Sequence, residues 1–184
     1  GMCAAIQLRK QGIAVDLVEQ NPQWAPDGAG ITISGPSLRA LREIGVVDEV
    51  LAHGGSWRAI DVCDADGQVS ATVPVAPASG AEELPGAAGI MRTVLADILG
   101  HATQRAGASV RLGLSFVSMA QDETGVDVAF TDGSAGRYDL VIGADGVNSA
   151  VRKIVLPGFA GPKFSGQGSW RAVVPRRREN STIY

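Results

Sequence analysis

Only two cysteines, Cys3 and Cys63, occur in 184 residues. They are too few and too far apart for a disulfide framework or a zinc-ligand spacing, so a reducing, cytoplasmic setting is the default expectation. Histidine is equally scarce: His53 and His101 stand alone, with no neighbouring pattern for a catalytic pair or a metal site. No apolar run reaches the ~18 residues of a membrane span, and no charged-then-apolar leader is visible. A basic stripe is missing too, since 16 Lys and Arg face 19 Asp and Glu for a net charge of -3. Nucleic acid is therefore not expected as a partner, and the one dense cluster, Arg176-Arg177-Arg178, reads as a solvated loop. What is present is ordinary: at 45% hydrophobic residues the chain can bury the core of a domain or a domain and a half.

Residues 2 to 11, MCAAIQLRKQ, have helix-forming composition, with Cys3 read as core and a stop at Gly12; IAVDLVE then alternates as a strand ending on an acid. LRALREIGVVDEVLAHGG, residues 38 to 55, predicts two short helices broken at Gly45. Residues 57 to 75 predict a hairpin around Ala65-Asp66-Gly67, and 76 to 89 a loop or crossover. A helix resumes at TVLADILGHATQRAG, with Thr93 as its N-cap and Gly107 as its stop. Three or four short strands follow, the last being YDLVI at 138 to 142, placed in one sheet with 12 to 19. FSGQGSWRAVVP then begins a further sheet.

Two stretches carry chemistry. Gly1 opens the first helix and Glu19 closes the next strand, about the ~20-residue separation at which a dinucleotide-binding unit places its ribose-binding acid. Helix N-terminal amides suit a pyrophosphate, and a carboxylate suits two ribose hydroxyls. The second stretch is GADGVNSAVR, residues 143 to 152, a strand end running into a helix start. Read alone, it leaves two alternatives open: Asp145 caps the helix, or it is held there for a ligand.

Taken in order, GMCAAIQLRKQGIAVDLVEQ at 1 to 20, LRALREIG at 38 to 45, MRTVLADIL at 91 to 99 and GADGVNSAVR at 143 to 152 resemble the FAD-dependent aromatic hydroxylase family, the single-component flavoprotein monooxygenases related to p-hydroxybenzoate hydroxylase. The resemblance spans nearly the whole chain. It implies an α/β fold: a Rossmann-like FAD/NAD(P)-binding domain, incomplete, with part of an antiparallel substrate-binding sheet. The first would comprise 1–56 and 90–160, the second 57–89 and 161–184. It also implies FAD as cofactor, NADH or NADPH as electron donor, O2 as co-substrate and a small aromatic molecule as the compound hydroxylated. By this resemblance Arg92 reaches the flavin phosphates, Asp145 lies beside the ribityl-pyrophosphate with Gly143 and Gly146 letting the backbone pass close, and Arg152 serves the nicotinamide cofactor. The cofactor-binding candidates are thus Gly1, Glu19, Arg92, Asp145, Gly146 and Arg152, with no catalytic residue and no metal ligand assigned.

GSWRAVVP departs from the W-x-W-x-I-P of flavin-dependent halogenases, because Ala172 stands where a second tryptophan would be; Trp170 is read as a packing residue of the substrate sheet. The strand expected before Gly1, its first two glycines and a downstream Gly-Asp motif are absent from the sequence, so the resemblance is to a family member incomplete at both ends. Alternatives remain: a truncated α/β fragment or interaction module unable to hold FAD, or, within the flavin class, a reductase or epoxidase.

Overall fold

The computed structural model of the chain describes residues 1–26 and 28–175, so Arg176-Arg177-Arg178 lies outside the described residues. In chain order its first elements are α1 (Met2–Lys10), β1 (Asp16–Glu19), β2 (Gly30–Ser34), α2 (Gly35–Glu43), α3 (Val47–His53), β3 (Gly55–Trp57), β4 (Ala59–Cys63) and β5 (Val69–Pro74). Then come β6 (Ala87–Met91), α4 (Arg92–Arg105), β7 (Ser109–Leu112), β8 (Phe116–Gln121), β9 (Val126–Phe130), β10 (Ala135–Tyr138) and α5 (Ala150–Val155). The mixed α/β class read from the sequence is the one observed. Among the described residues no helix is long and apolar enough to cross a membrane.

The chain divides into two compact units, one of residues 1–24 and 103–170, the other of 25–102 and the segment from Arg171. In the first, α1 buries Ala5 and Ile6 and stops at Gly12, whose φ of +78° is open to glycine at no steric cost. There the Gly12 N–H reaches Arg9 O and the Ile13 N–H reaches Leu8 O, satisfying two carbonyls of the last turn. The reversed chain enters β1, which pairs in parallel with β7, Glu19 standing opposite Leu112. Arg9 fastens this arrangement, donating through Nε to Ala106 O (3.2 Å) and through Nη1 to Ile13 O (3.0 Å).

Strands β8, β9 and β10 form an antiparallel meander. One face of β9 buries Val126, Val128 and Phe130, against which Leu114, Val18, Phe116, Met119, Tyr138 and Val141 pack. The Tyr138 hydroxyl donates to Asp16 Oδ2 at 2.9 Å, tying the meander to β1.

In the second unit, β2, β6 and β3 make an antiparallel sheet with β6 central. Helix α2 packs on β2 and β6, and α3 on β3 and β6, burying Leu38, Leu41, Val47 and Val50. Arg39 donates to Ser79 O at 2.7 Å; Arg42 donates to Gly80 O at 2.8 Å and pairs with Glu83. These bonds strap the 76–86 loop onto α2. The hairpin expected over 57 to 75 is β4 with β5, antiparallel around a turn closed by Gly67.

Five local expectations fail. Residues 139–142 of YDLVI belong to no strand, and β1 pairs with β7 instead. A strand exists only by its hydrogen-bonded neighbours; this segment has none among the described residues, so Leu140 and Ile142 stand 69% and 51% exposed while Val141 alone turns to the core. Cys3 is exposed because Ala5 and Ile6 take the inner face of α1. Thr93 lies inside the first turn of α4, since β6 runs directly into Arg92 and the Arg92 N–H is satisfied by Ala29 O at 3.3 Å. The loop read over 76 to 89 ends early, because Ala87–Gly89 join the centre of the second sheet. Finally, 164–175 contains no strand, and Trp170 is fully exposed rather than packed.

The meander is closed at its far turn by charge. Arg137 Nη2 donates to both carboxylate oxygens of Asp122 (2.7 and 2.8 Å) and Nη1 to Asp127 (2.8 Å). The Arg137 bond, followed by those from the Thr124 N–H and hydroxyl, pulls the Asp122 pKa down to about 2. A carboxylate whose folded pKa lies below its unfolded value stabilises the fold fully above the unfolded pKa and loses that contribution as pH falls through the folded one. Resistance to urea should therefore fall between pH ~4 and ~2, the ordinary carboxylate value and the lowered one, and Arg137→Leu should flatten the slope in that window. An identical slope in both proteins would remove Asp122 from the acid response.

Candidate functional site

The first unit contains two helix N-termini, and they are treated differently. Every helix begins with N–H groups that have no partner within the helix. At α5 the chain fills them itself: Asp145 Oδ2 accepts the N–H of Ala150 (2.7 Å) and of Val151 (3.1 Å), and Ser149 Oγ accepts the N–H of Arg152 (2.9 Å). The Ser149 hydroxyl donates its own proton to Asp145 Oδ1. Partial burial of Asp145 raises its pKa, but the Ser149 hydroxyl and the N–H groups of Val151, Asp145 and Ala150 outweigh it, leaving the carboxyl below its ordinary value. Of the two readings left open by the sequence, helix capping is directly visible. It uses three acceptor positions of a group that has about four.

The glycines of the same motif have internal uses as well. A Cβ on Gly143 would stand 2.7 Å from Val151 Cγ1 and 2.8 Å from Val151 Cβ, so α5 folds back onto a position with no room for a side chain. Gly146 takes φ +79° in the turn that the Ser149 N–H closes onto Gly146 O at 3.1 Å.

At α1 nothing comparable is present. Gly1 is the N-cap without a side-chain cap bond, and the first turn holds no acid. A Cβ on Gly1 would touch Leu17 Cδ1 at 3.7 Å and Ala144 Cβ at 4.0 Å, so the head of α1 lies against the residue preceding Asp145. Gly1 and Ala144, at opposite ends of this unit's sequence, thus share one corner. Glu19, half-buried at the end of β1, accepts the Asn21 N–H on Oε1 at 2.8 Å, and Oε2 has no partner among the described residues. An open helix head and an acid with a spare oxygen at the end of the next strand fit a dinucleotide: amides for the pyrophosphate, a carboxylate for ribose hydroxyls.

Arg152 and Arg92 are placed elsewhere. Arg152 donates to Val147 O at 2.7 Å, and its guanidinium carbon lies 5.4 Å from the centre of the Phe159 ring, a cation–π contact. It lines an open groove of about 350 Å³ with Asn148, Lys153, Leu156, Phe159 and Pro162. No spacing rule pointed to Phe159, which meets Arg152 only because the chain turns back after α5. Arg92 belongs to the second unit, is exposed, and lies across Gly28, where an added Cβ would come 3.2 Å from Nη1. The structure therefore brings Gly1, Asp145 and Gly146 into one corner, puts Glu19 at the end of the adjoining strand and Arg152 on the groove beyond Asp145, and holds Arg92 in a separate unit.

Comparison with known proteins follows this geometry. The family model described as FAD binding domain matches residues 1–182. The chain is 35% identical over 177 residues to 3-amino-4-hydroxybenzoate 2-monooxygenase of Streptomyces cremeus, covering 95% of this chain and 44% of that protein. It is 31% identical over 186 residues to 2-heptyl-3-hydroxy-4(1H)-quinolone synthase of Pseudomonas aeruginosa, covering 100% of this chain and 46% of that protein. Among solved structures it resembles the flavin-dependent monooxygenase PieE in complex with FAD and substrate, with a TM-score of 0.69 and 26% identity over 84% of this chain and 30% of that chain. The chain thus spans a little under half the length of the curated relatives it matches.

The contact at Gly143 is open to test. Gly143→Ala should destabilise the protein by ~1–3 kcal/mol through overpacking, with faster amide exchange concentrated in 150–155. Adding Val151→Ala should recover most of the loss. Wild-type stability in Gly143→Ala would show that the approach of α5 is not tight.

Proposed function

Since the chain belongs to the FAD binding domain family, we propose that it forms the flavin-binding part of an FAD-dependent monooxygenase that takes electrons from NADH or NADPH and uses O2 to hydroxylate a small aromatic molecule. The observation that carries this reading is the uncapped head of α1 against Ala144, with Glu19 closing the next strand. Names of two relatives, a hydroxybenzoate monooxygenase and a quinolone synthase, support the aromatic substrate class. The flavin, when bound, would supply the redox and oxygen chemistry.

The residues divide the work of holding it. The first-turn amides of α1, beginning after Gly1, receive the pyrophosphate, where the helix dipole favours negative charge. Glu19 accepts ribose hydroxyls on Oε2. Arg92, whose planar guanidinium can bind two phosphate oxygens at once, serves the flavin phosphates. Asp145 and Gly146 lie beside the ribityl chain, and the remaining acceptor position of Asp145 is available to a hydroxyl. Arg152 and Lys153, with Phe159 beneath the guanidinium, offer cations and an aromatic face to the nicotinamide cofactor. We assign 1–56 and 90–160 to the flavin domain, and 57–89 with the segment from 161 to the substrate side.

Full-length protein should be yellow and should hold FAD through gel filtration; a colourless protein that takes up no FAD on titration would overturn the reading. Glu19→Ala should weaken FAD binding roughly ten- to hundred-fold, the value of a charge-assisted hydrogen bond of ~1.5–3 kcal/mol. Arg152→Ala should keep FAD while raising the nicotinamide KM or slowing flavin reduction in stopped-flow. Unchanged reduction at every nicotinamide concentration would take Arg152 out of that site, and loss of FAD would move it to the flavin.

A further inference from the structure

Ser149 is buried, at 8% exposure, and its hydroxyl both donates and accepts. Oγ–H donates to Asp145 Oδ1, and the same oxygen accepts the N–H of Arg152 at 2.9 Å. Its backbone N–H closes the turn onto Gly146 O at 3.1 Å. One residue thus joins the acid, the turn and the helix. The loop it closes, 143–148, is fixed at its other end by Gly143 against Val151 and carries Ala144, which meets the head of α1 at Gly1.

We propose that Ser149 is a positioning residue for the flavin site: its hydroxyl fixes the Asp145 carboxylate and, through it, the 143–148 loop that abuts the α1 head. This rests on the flavin-binding reading given above. With Oγ removed, Asp145 Oδ1 loses its donor and the Arg152 N–H its acceptor, while Oδ2 keeps the Ala150 and Val151 N–H groups. The carboxylate is then held through one oxygen and can turn about that attachment. The same cap fills the α5 N-terminus with the chain's own negative charge, which leaves the head of α1 as the open seat for phosphate in this unit.

The test uses full-length apoprotein carrying Ser149→Ala or Ser149→Thr, titrated with FAD at a temperature where circular dichroism shows every variant folded. Ser149→Ala should raise the FAD Kd about tenfold, and Ser149→Thr, which restores the hydroxyl, should return it to within about threefold of wild type. Two results overturn the proposal: a wild-type Kd in Ser149→Ala, even with a lowered Tm, or a Ser149→Thr protein as weak as Ser149→Ala. If Ser149→Ala does not fold, Ser149→Cys decides: the thiol keeps the shape of the side chain but is a weak donor and a weak acceptor, so positioning predicts a raised FAD Kd, and a wild-type Kd in folded Ser149→Cys overturns the proposal. Wild-type protein that binds no FAD would defeat the functional reading. Amide exchange of 143–155 without ligand would still report on Ser149, expected faster in Ser149→Ala and restored in Ser149→Thr.

Discussion

Backbone N–H groups at the start of a helix must find acceptors, and the way each helix here meets that demand sets what the first unit can bind. Helix α5 takes Asp145 and Ser149 from its own lead-in turn. Helix α2 begins at Gly35-Pro36, where proline brings no N–H, and α3 has Asp48 and Glu49 in its first turn. The Arg92 N–H of α4 is met by Ala29 O. Helix α1 has neither a side-chain cap nor an acid or proline in its first turn. Such an end suits a negatively charged ligand, and the motif loop holding Ala144 stands beside it.

The second unit solves a different problem, how to keep a long irregular stretch in place. Residues 76–86 have little periodicity to fold on, yet Ala81 and Leu84 are buried, and the two arginines of α2 hold the loop's carbonyls and Glu83. Each exposed contact is worth little alone. Together with the buried anchors they fix where the chain re-enters the sheet as β6 and therefore where Arg92 begins α4.

Much of this was legible locally. The hairpin of β4 and β5 followed from its turn residues, and the ends of α1, α2 and α4 from Gly12, Gly45 and Gly107, because a positive φ is a property of one residue type at one position. What misled was burial and pairing. Cys3 looked apolar enough for a core that Ala5 and Ile6 occupy, YDLVI had the composition of a strand but no neighbour, and Ala87–Gly89 had the composition of a loop but two strand neighbours. Phe159 under Arg152 had no signal at all.

The sequence by itself determined the family, the helix stops, the hairpin and which residues could serve a dinucleotide, since these rest on residue type and short spacing. Tertiary structure alone decided that Gly1 and Ala144 share a corner, that the Asp16 carboxylate accepts the hydroxyl of Tyr138, and that Arg92 lies in a unit apart from them. The reason is physical: conformational preference acts within a few residues, whereas a hydrogen-bond acceptor is shared by whatever donors the fold brings to it, however far along the chain they began.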